Sequence, residues 1–571
     1  MLKRPERFLS RHNSPFSPGR RDWTARVLLA GLAAFFLLLP GRAGIPPFDR
    51  DEPRYMEATS QMLKSGNFVD VRFQDKPRYL QPAGIYWLES LSVAAAGREN
   101  RYKVWPYRVP SLLAMSIVTM LTALAGGILF SRRAGLLAAG IFATSVLVMA
   151  EGRMATIDSM LLLTVVAAQY LLMKVLQDRE SGRATSTFTA AGWWLAAGCG
   201  LMLKGPVVLI PLFGTVLMLW AVERDRSWWG RLRPRWGWLV MLAVVLPWCV
   251  AIGVMTHGEF FRLAIGHNLL GKIGSGQEAH GLPPGYHILV FLITFWPGSF
   301  FAVRTLPWIL SERRSLQVRF LLCWIVPHWL VFELIATKLP HYVLPVWPAL
   351  ALLVAAALTD SEKRGLRLPW PMGWRILFSV YGVLWTIVSI ALCCSGAVLS
   401  QVLEHHVPPE AWIMAAGSLP LLVLTLRSVL QGRLWQGAVS AMGMAVIVYV
   451  GLFFSVIPGL KTIWMAPRLA ELVDEYRPCT ETKVVSVSFS EPSLVFLMHG
   501  DVLLRGVPEA ADIMKSDRSC TLVLADRRDE DALREALASS GIHPVEFGRV
   551  QGINYSNGRH LDIGLLGYTG Q

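Results

Sequence analysis

Charged residues are scarce in this chain, and their scarcity excludes an ordinary soluble globule. Asp, Glu, Lys and Arg make up 17% of the 571 residues, whereas 53% are hydrophobic. Soluble domains carry roughly 25% charged residues, so much of this protein's surface must face lipid. The 22 tryptophans agree with this interpretation, because indole rings favour the boundary between headgroups and hydrocarbon.

Cysteine is also scarce, and the seven cysteines show no Cys-x-x-Cys or Cys/His spacing that would predict a zinc site. A cleavable signal peptide is not evident, because the long basic tail before the first apolar run is typical of an uncleaved anchor. The net charge of +15 would suggest nucleic acid in a soluble protein. No basic patch interleaved with aromatic residues occurs, so nucleic-acid binding is not expected.

Thirteen apolar runs are long enough, or nearly so, to cross a bilayer, which takes about 20 residues. They lie at about 26–40, 107–130, 134–151, 158–178, 187–203, 207–222, 236–256, 286–310, 318–336, 343–358, 375–399, 411–427 and 437–457.

The distribution of basic residues among the loops agrees with thirteen crossings. The tail before residue 22 holds six basic residues, so the N-terminus is expected in the cytoplasm. Every second short loop that follows is basic, beginning with Arg132 and Arg133. Thirteen crossings then place the C-terminal segment outside, and we predict a multi-pass protein of the bacterial inner membrane.

Two outside stretches, 41–106 and 257–285, are too long for simple turns. Within the first, Pro53 to Lys64 reads as an amphipathic helix closed by Gly66 and lying in the membrane interface. We therefore divide the chain into a transmembrane part, residues 1–457 with the periplasmic loop 41–106, and a soluble periplasmic α/β domain, residues 458–571.

The α/β prediction rests on three short apolar runs and one amphipathic segment. The runs at 483–489, 493–498 and 520–525 read as buried strands, and residues 528–540 read as a helix. Cys479 and Cys520 flank two of these strands in an oxidising compartment, so a disulfide between them is one expectation. Two unpaired buried thiols are the alternative.

Ionisable side chains gather at the predicted outer ends of the helices, where charge is expensive and a function is the usual reason for it. The first loop opens with the segment FDRDEPRY, which contains Asp51, and RMATID places Asp158 at the mouth of the fourth run. LKGP places Lys204 at the end of the fifth run. Either acid could instead cap a helix, and Lys204 could simply extend towards the headgroups.

A fourth cluster lies in TKLPHYVLP, where Lys338, His341 and Tyr342 share one short loop, and the polar loop at 266–287 adds His267. Acids facing cations just outside a bilayer suit a lipid-linked phosphate donor. The cations would neutralise the departing phosphate, and an acid would accept the proton of the attacking hydroxyl. A proton-coupled transporter would place its ionisable groups near mid-membrane, where these runs are nearly free of charge.

In this order, the motifs resemble membrane glycosyltransferases of the dolichyl-phosphate-mannose protein mannosyltransferase type. They are most similar to the bacterial 4-amino-4-deoxy-L-arabinose transferase of lipid A and its relatives. The quoted segments are DEPRYMEA, FVDVRFQDKPRYLQPAGIYWLES, RMATIDSML, LKGPV, HGLPPGYH and TKLPHYVLP. The resemblance implies a GT-C architecture, an outer-face cavity and a polyprenyl-phosphate sugar donor. It also implies inverting transfer on the periplasmic face without a nucleotide sugar.

The resemblance also implies roles for individual residues. Asp51 and Asp158 match the family's two acids and are the catalytic candidates. The candidates for binding the donor phosphate or substrate are Arg54, Lys76, Gln81, Lys204, His267, Lys338, His341 and Tyr342.

The sequence departs from the family pattern at one place. Relatives carry a lysine where Gln81 stands here, and a glutamate implicated in metal binding is Leu80. Lys76, five residues upstream, is the candidate to compensate, and a divalent metal is left open.

The leading hypothesis is sugar transfer from undecaprenyl phosphate to lipid A, lipopolysaccharide or a similar envelope lipid. The alternatives are a protein O-glycosyltransferase with the same donor, a transporter or flippase of a lipid-linked sugar, and a non-catalytic envelope-assembly protein. The sequence identifies neither the sugar nor the acceptor.

The topology can be tested with a reporter that is active only in the periplasm. We expect activity when it is fused after residue 280, 405 or 470, and none after residue 232 or 366, because the basic loops are held in the cytoplasm. Activity after residue 366 would show that one of the predicted crossings is wrong.

Overall fold

The computed structural model describes residues 18–269, 282–364 and 371–568. Helices form most of these ranges, and a small sheet lies near the C-terminus. The helices are α1 (Pro18–Leu38), α2 (Asp51–Ser65), α3 (Gly84–Ala96), α4 (Val109–Leu129), α5 (Arg132–Ala143), α6 (Val146–Glu151), α7 (Asp158–Glu180), α8 (Thr187–Lys204), α9 (Leu209–Val222), α10 (Ser227–Arg231), α11 (Pro234–Met255), α12 (Glu259–Phe261), α13 (Tyr286–Thr294), α14 (Ser299–Glu312), α15 (Leu316–Leu334), α16 (Trp347–Arg364), α17 (Met372–Glu404), α18 (Pro409–Leu430), α19 (Leu434–Gly451), α20 (Ile457–Gly459), α21 (Met465–Glu475), α22 (Pro492–Leu497), α23 (Val507–Ser516) and α24 (Arg527–Ala538).

Within the described residues, nine helical stretches are long and apolar enough to span a membrane. The pair α13–α14 makes a tenth if its two halves, bent by 119°, form one span. Each of the thirteen apolar runs predicted from the sequence contains a helix. The protein is therefore a polytopic helical membrane protein, and the count of thirteen crossings stays a prediction.

One of the nine stretches, Thr187–Val222, doubles back on itself. At one end of α7, Lys204 Nζ lies 2.5 Å from Asp158 Oδ1, and at the other end Arg179 Nη1 lies 3.5 Å from Glu223 Oε2. Because a 23-residue helix is about 35 Å long, α8 and α9 must run in opposite directions along it. The reversal occurs at Gly205, whose φ of +61° suits glycine.

The helix in the first long loop packs against other parts of the protein. Helix α2 ends at Gly66 in the left-handed conformation, as predicted. Its Met56 packs with Tyr107 and with Phe496 of α22, and Tyr55 packs with residues of α3. The expected position in the membrane interface is therefore wrong, because the apolar face is covered by other parts of the chain.

The C-terminal part is a mixed five-stranded sheet with helices. After the small antiparallel hairpin β1 (Arg72–Phe73) and β2 (Lys76–Pro77) in the first loop, its strands are β3 (Lys483–Ser486), β4 (Val502–Leu504), β5 (Thr521–Asp526), β6 (Val545–Asn554) and β7 (Arg559–Gly567). The strand order is β4-β3-β5-β7-β6. β3 pairs in parallel with β4 and β5, and β7 pairs antiparallel with β5 and β6.

In this domain, one prediction from the sequence is confirmed and another is wrong. β3 and β5 lie side by side, with Lys483 opposite Thr521, and Cys479 and Cys520 form the predicted disulfide across a Cα separation of 5.8 Å. The run at 493–498 is not a strand but most of α22. Pro492 starts that helix, and a short run buried on all sides carries no periodicity to distinguish the two structures.

A buried ion pair joins the first loop to the membrane helices. The Glu52 and Arg108 side chains are essentially inaccessible, and the guanidinium donates to both carboxylate oxygens at 2.7 and 2.8 Å. Arg108 also donates to the carbonyls of Arg42, Ile45 and Pro46. The start of α4 is thereby tied to the segment that leads into α2.

We predict that Arg108→Met destabilises the protein by about 3–5 kcal/mol, because it leaves the Glu52 carboxylate buried and unpaired. Thermal unfolding of the purified protein measures the effect, with Arg98→Met at an exposed position as control. The double variant Glu52→Leu/Arg108→Met should recover part of the loss. An unchanged melting temperature in Arg108→Met would refute the structural importance of the pair.

Candidate active site

A largely apolar cavity of about 320 Å³ opens where the first loop meets the ends of α7, α8, α11 and α15. Its lining includes Leu80, Gln81, Pro82, Asp158, Lys204, Trp248, Phe260, His328, Phe332, Thr337, His341 and Tyr342. Four candidates from the sequence motifs, Asp158, Lys204, His341 and Tyr342, thus come together although they span nearly 190 residues. Gln81 is the fifth.

Asp158 and Lys204 form the polar centre of this cavity. Besides the 2.5 Å contact between them, Lys204 Nζ lies 5.6 Å from the centre of the Tyr342 ring. Asp158 is the first residue of α7, and its carboxylate pairs with the lysine. The Lys204 side chain is only 19% exposed, which does not fit a lysine that extends to the headgroups.

Sequence reasoning missed Glu151, which belongs to the same cluster. His341 Nδ1 lies 3.6 Å from Glu151 Oε1, and His341 Nε2 lies 3.8 Å from Asp158 Oδ2. Thr156 Oγ1 donates to the other Glu151 oxygen at 2.9 Å. An acid closing an apolar run seven residues before Asp158 was the available signal.

Gln81 occupies the wall of the cavity through a contact with α2. Its Nε2 donates to the Tyr55 hydroxyl at 2.5 Å. The Arg78 guanidinium lies 5.0 Å from the Tyr55 ring centre and donates to the Tyr86 hydroxyl at 3.0 Å. Burial raises the pKa of Tyr55 well above its usual value, so the phenol stays neutral at physiological pH. These contacts fix the position of Gln81 in the cavity wall.

Asp51 lies at the exposed start of α2. The helix begins at Asp51 itself, and Arg50 occupies the N-cap position without a side-chain capping bond. The Asp51 carboxylate is 65% exposed and lies 3.7 Å from Arg54. Residues four apart share a helix face, so Asp51 lies on the same face of α2 as Tyr55. Its interpretation as an N-cap is not supported.

Lys76 and Lys338 are not among the residues that line the cavity. Lys76 is exposed on β2, and Lys338 is buried with its ammonium donating to the Ile335 carbonyl. His267 falls in the helical turn Arg262–Leu269, but its side chain lies outside the described residues.

Two buried histidines, His287 and His328, support the loop that carries His341 and Tyr342. His287 Nδ1 lies 2.7 Å from Glu333 Oε2, and His287 Nε2 lies 3.2 Å from the Leu339 carbonyl. In addition, His328 Nε2 lies 2.9 Å from the Tyr342 carbonyl. Helices α13 and α15 therefore fix the backbone on both sides of His341.

Among the described residues, no three His, Cys, Asp or Glu side chains converge as metal ligands would. The acids of the cavity are instead neutralised by Lys204 and faced by His341. This polar cluster in an apolar cavity has the groups needed to bind a phosphate and to move a proton.

Comparisons with known proteins agree with this geometry. A family model described as dolichyl-phosphate-mannose-protein mannosyltransferase matches residues 47–258. A protein of Pseudomonas fluorescens (strain Pf0-1), undecaprenyl phosphate-alpha-4-amino-4-deoxy-L-arabinose arabinosyl transferase 2, is 26% identical over 71% of this chain and 75% of its own length. The corresponding transferase of Enterobacter sp. (strain 638) is 27% identical over 74% and 75%.

The fold is also similar to solved structures. ArnT from Cupriavidus metallidurans, bound to undecaprenyl phosphate, superposes with a TM-score of 0.72 and 18% identity, covering 95% of this chain and 98% of that one. The same protein in the apo state gives a TM-score of 0.68. In sequence and in fold, the chain is thus similar to membrane glycosyltransferases of the mannosyltransferase type. The resemblance inferred from the motifs is thereby confirmed.

The pairing of Lys204 with Asp158 gives a test of the cavity. We predict that Lys204→Met lowers turnover by about two orders of magnitude, because the cavity loses its positive charge and Asp158 its partner. Lys204→Arg should keep part of the activity. Exposed Lys461→Met serves as control, and full activity in Lys204→Met membranes would exclude Lys204 from the site.

Proposed function

We propose that this glycosyltransferase moves one sugar from an undecaprenyl-phosphate donor to lipid A, lipopolysaccharide or a similar envelope lipid. The observation that carries the proposal is the Asp158–Lys204–His341 cluster in the wall of an otherwise apolar cavity. An apolar wall suits a polyprenyl chain, and a cationic side chain at its end suits the phosphate. Two relatives are named as arabinosyl transferases that use such a donor, and the similar ArnT structure holds undecaprenyl phosphate.

In the proposed reaction, the acceptor hydroxyl attacks the anomeric carbon as the bond from that carbon to the phosphate oxygen breaks. The electron pair of that bond leaves with polyprenyl phosphate, and Lys204 and His341 offset the negative charge. Asp51 takes the proton of the attacking hydroxyl. Its exposed position, beside Arg54 at 3.7 Å, leaves it accessible to an acceptor arriving from outside.

Because the lysine expected from the family pattern is absent, other residues must neutralise the donor phosphate in the proposed reaction. Gln81 can donate a hydrogen bond but brings no charge, and it already donates to Tyr55. Lys76 is exposed on a separate hairpin, so Lys204 is the better candidate for the main phosphate cation. A divalent metal is not needed for the reaction as written.

We also propose the topology that the loop charges predict. The N-terminus lies in the cytoplasm, thirteen helices cross the inner membrane, and residues 458–571 form the periplasmic domain. Because α8 and α9 run in opposite directions, they support two crossings within Thr187–Val222. By length and composition alone, this stretch counts as one span. This arrangement puts the cavity on the periplasmic side.

The function is tested by the masses of lipid A and core oligosaccharide from strains with and without the gene. Loss of one sugar-sized mass from lipid A or core supports the proposal. An unchanged lipid fraction with a loss of sugar from envelope proteins would point to protein O-glycosylation. Accumulation of the lipid-linked sugar on the cytoplasmic side would point to a flippase.

For Asp51 we predict that Asp51→Asn abolishes transfer, because the amide cannot accept the acceptor proton, while expression and melting temperature stay close to the unaltered protein. An acid that merely favours the helix N-terminus tolerates Asn with little loss. Exposed Asp75→Asn in the nearby hairpin is the matched control. Transfer by Asp51→Asn membranes at the unaltered rate would remove Asp51 from the mechanism.

A further inference from the structure

The residues just before Asp51 are held by the C-terminal domain. Asp49 Oδ1 accepts a hydrogen bond from the Ser493 backbone N–H at 2.8 Å, and Oδ2 accepts one from the Ser493 hydroxyl at 2.7 Å. The Asp49 N–H donates to the Tyr555 hydroxyl at 2.7 Å, and Arg50 donates to the Ser556 carbonyl at 3.0 Å. Four hydrogen bonds thus join two consecutive loop residues to a domain more than 440 residues away in sequence.

Asp49 takes the place of a helix cap in this contact. Ser493 lies in the first turn of α22, where backbone N–H groups lack partners within the helix. The local N-cap, Glu491, makes no capping bond, since its carboxylate accepts from Asn554 at 2.8 Å. A carboxylate from the first loop therefore supplies the bond that a capping side chain normally gives.

Aromatic packing supports the same contact from the side. The Phe48 ring lies 5.4 Å from the Trp464 ring, and Trp464 lies 5.7 Å from Tyr555, measured between ring centres. Further along, Lys64 at the end of α2 donates to the His499 carbonyl at 2.8 Å. The C-terminal domain thus contacts α2 at both of its ends.

We propose that Asp49 and Ser493 are positioning residues, through which the C-terminal domain sets the place of Asp51 for sugar transfer. The inference rests on the proposed function of Asp51. Asp49 acts by its hydrogen bonds and takes no proton from the acceptor. A displacement of about 1 Å in a reacting group can cost on the order of a hundredfold in rate, so this contact matters for turnover.

The test compares Asp49→Ala with Asp49→Asn in the full-length protein. Alanine removes both bonds to Ser493. Asparagine can keep both, with its carbonyl accepting from the backbone N–H and its amide donating to the hydroxyl oxygen. We expect Asp49→Ala to lower kcat by about tenfold to a hundredfold with the donor KM within about twofold, and Asp49→Asn to stay within about threefold of the unaltered protein.

Ser493→Ala removes only the hydroxyl bond, so its kcat should fall between those of the two Asp49 variants. It replaces Asp49→Ala in the comparison if that variant does not fold. Exposed Ser490→Ala, three residues away, is the control and should match the unaltered protein. The assay uses undecaprenyl-phosphate-linked 4-amino-4-deoxy-L-arabinose and lipid A. If Asp49→Asn is as slow as Asp49→Ala, the charge of Asp49 is needed and the positioning role is wrong.

Hydrogen exchange gives a readout that does not depend on transfer. We expect Asp49→Ala to raise deuterium uptake in residues 48–56 while uptake in the membrane helices stays unchanged. Unchanged uptake in residues 48–56 would overturn the proposal. If the unaltered protein transfers no sugar to any lipid, the proposed function fails, and the exchange measurement still decides whether Asp49 holds the loop.

Discussion

The Glu52 carboxylate accepts four hydrogen bonds while its side chain is fully buried. Two come from Arg108, one from the Phe48 N–H at 2.8 Å and one from the Ala155 N–H at 2.7 Å. A buried charge is tolerated only where such partners replace water, so the segments that provide them must stay together. The first loop, α4 and the turn before α7 meet at this one carboxylate. The cavity forms beside it, because Asp158 begins α7 three residues after Ala155.

The helices and the polar cluster could be predicted from the sequence for physical reasons. Lipid forces backbone groups to pair within a helix, so an apolar run is informative wherever it occurs. Charge at a helix end is costly, and the motifs around Asp158, Lys204 and His341 therefore identified residues that meet in one cavity. The disulfide between Cys479 and Cys520 was predicted from the oxidising compartment expected for the C-terminal segment and from two runs read as strands, which do pair. In these cases, the free-energy term that decides the structure can be read from residues close together in the sequence.

Other features could not be predicted from the sequence, because they depend on contacts between distant segments. The run 493–498 forms a helix because Pro492 starts it and because Asp49, far away in sequence, caps it. Helix α2 was expected on the membrane surface, but residues of α3, Tyr107 and Phe496 of the C-terminal domain cover its apolar face. Glu151 ends an apolar run, and its importance emerges only when His341 folds against it. Each miss concerns a residue whose partner comes from a distant segment.

The segment around Asp51 is held from two sides by different parts of the protein. Glu52 binds the membrane helices through Arg108, whereas Asp49 binds the C-terminal domain through Ser493. Between these two anchored acids lie only Arg50 and Asp51, so the backbone of Asp51 cannot shift unless one of the anchors yields. The Asp51 side chain nevertheless remains 65% exposed. A fixed backbone with an accessible carboxylate suits the general-base role proposed for Asp51, because orientation is set before an acceptor binds and access is kept open.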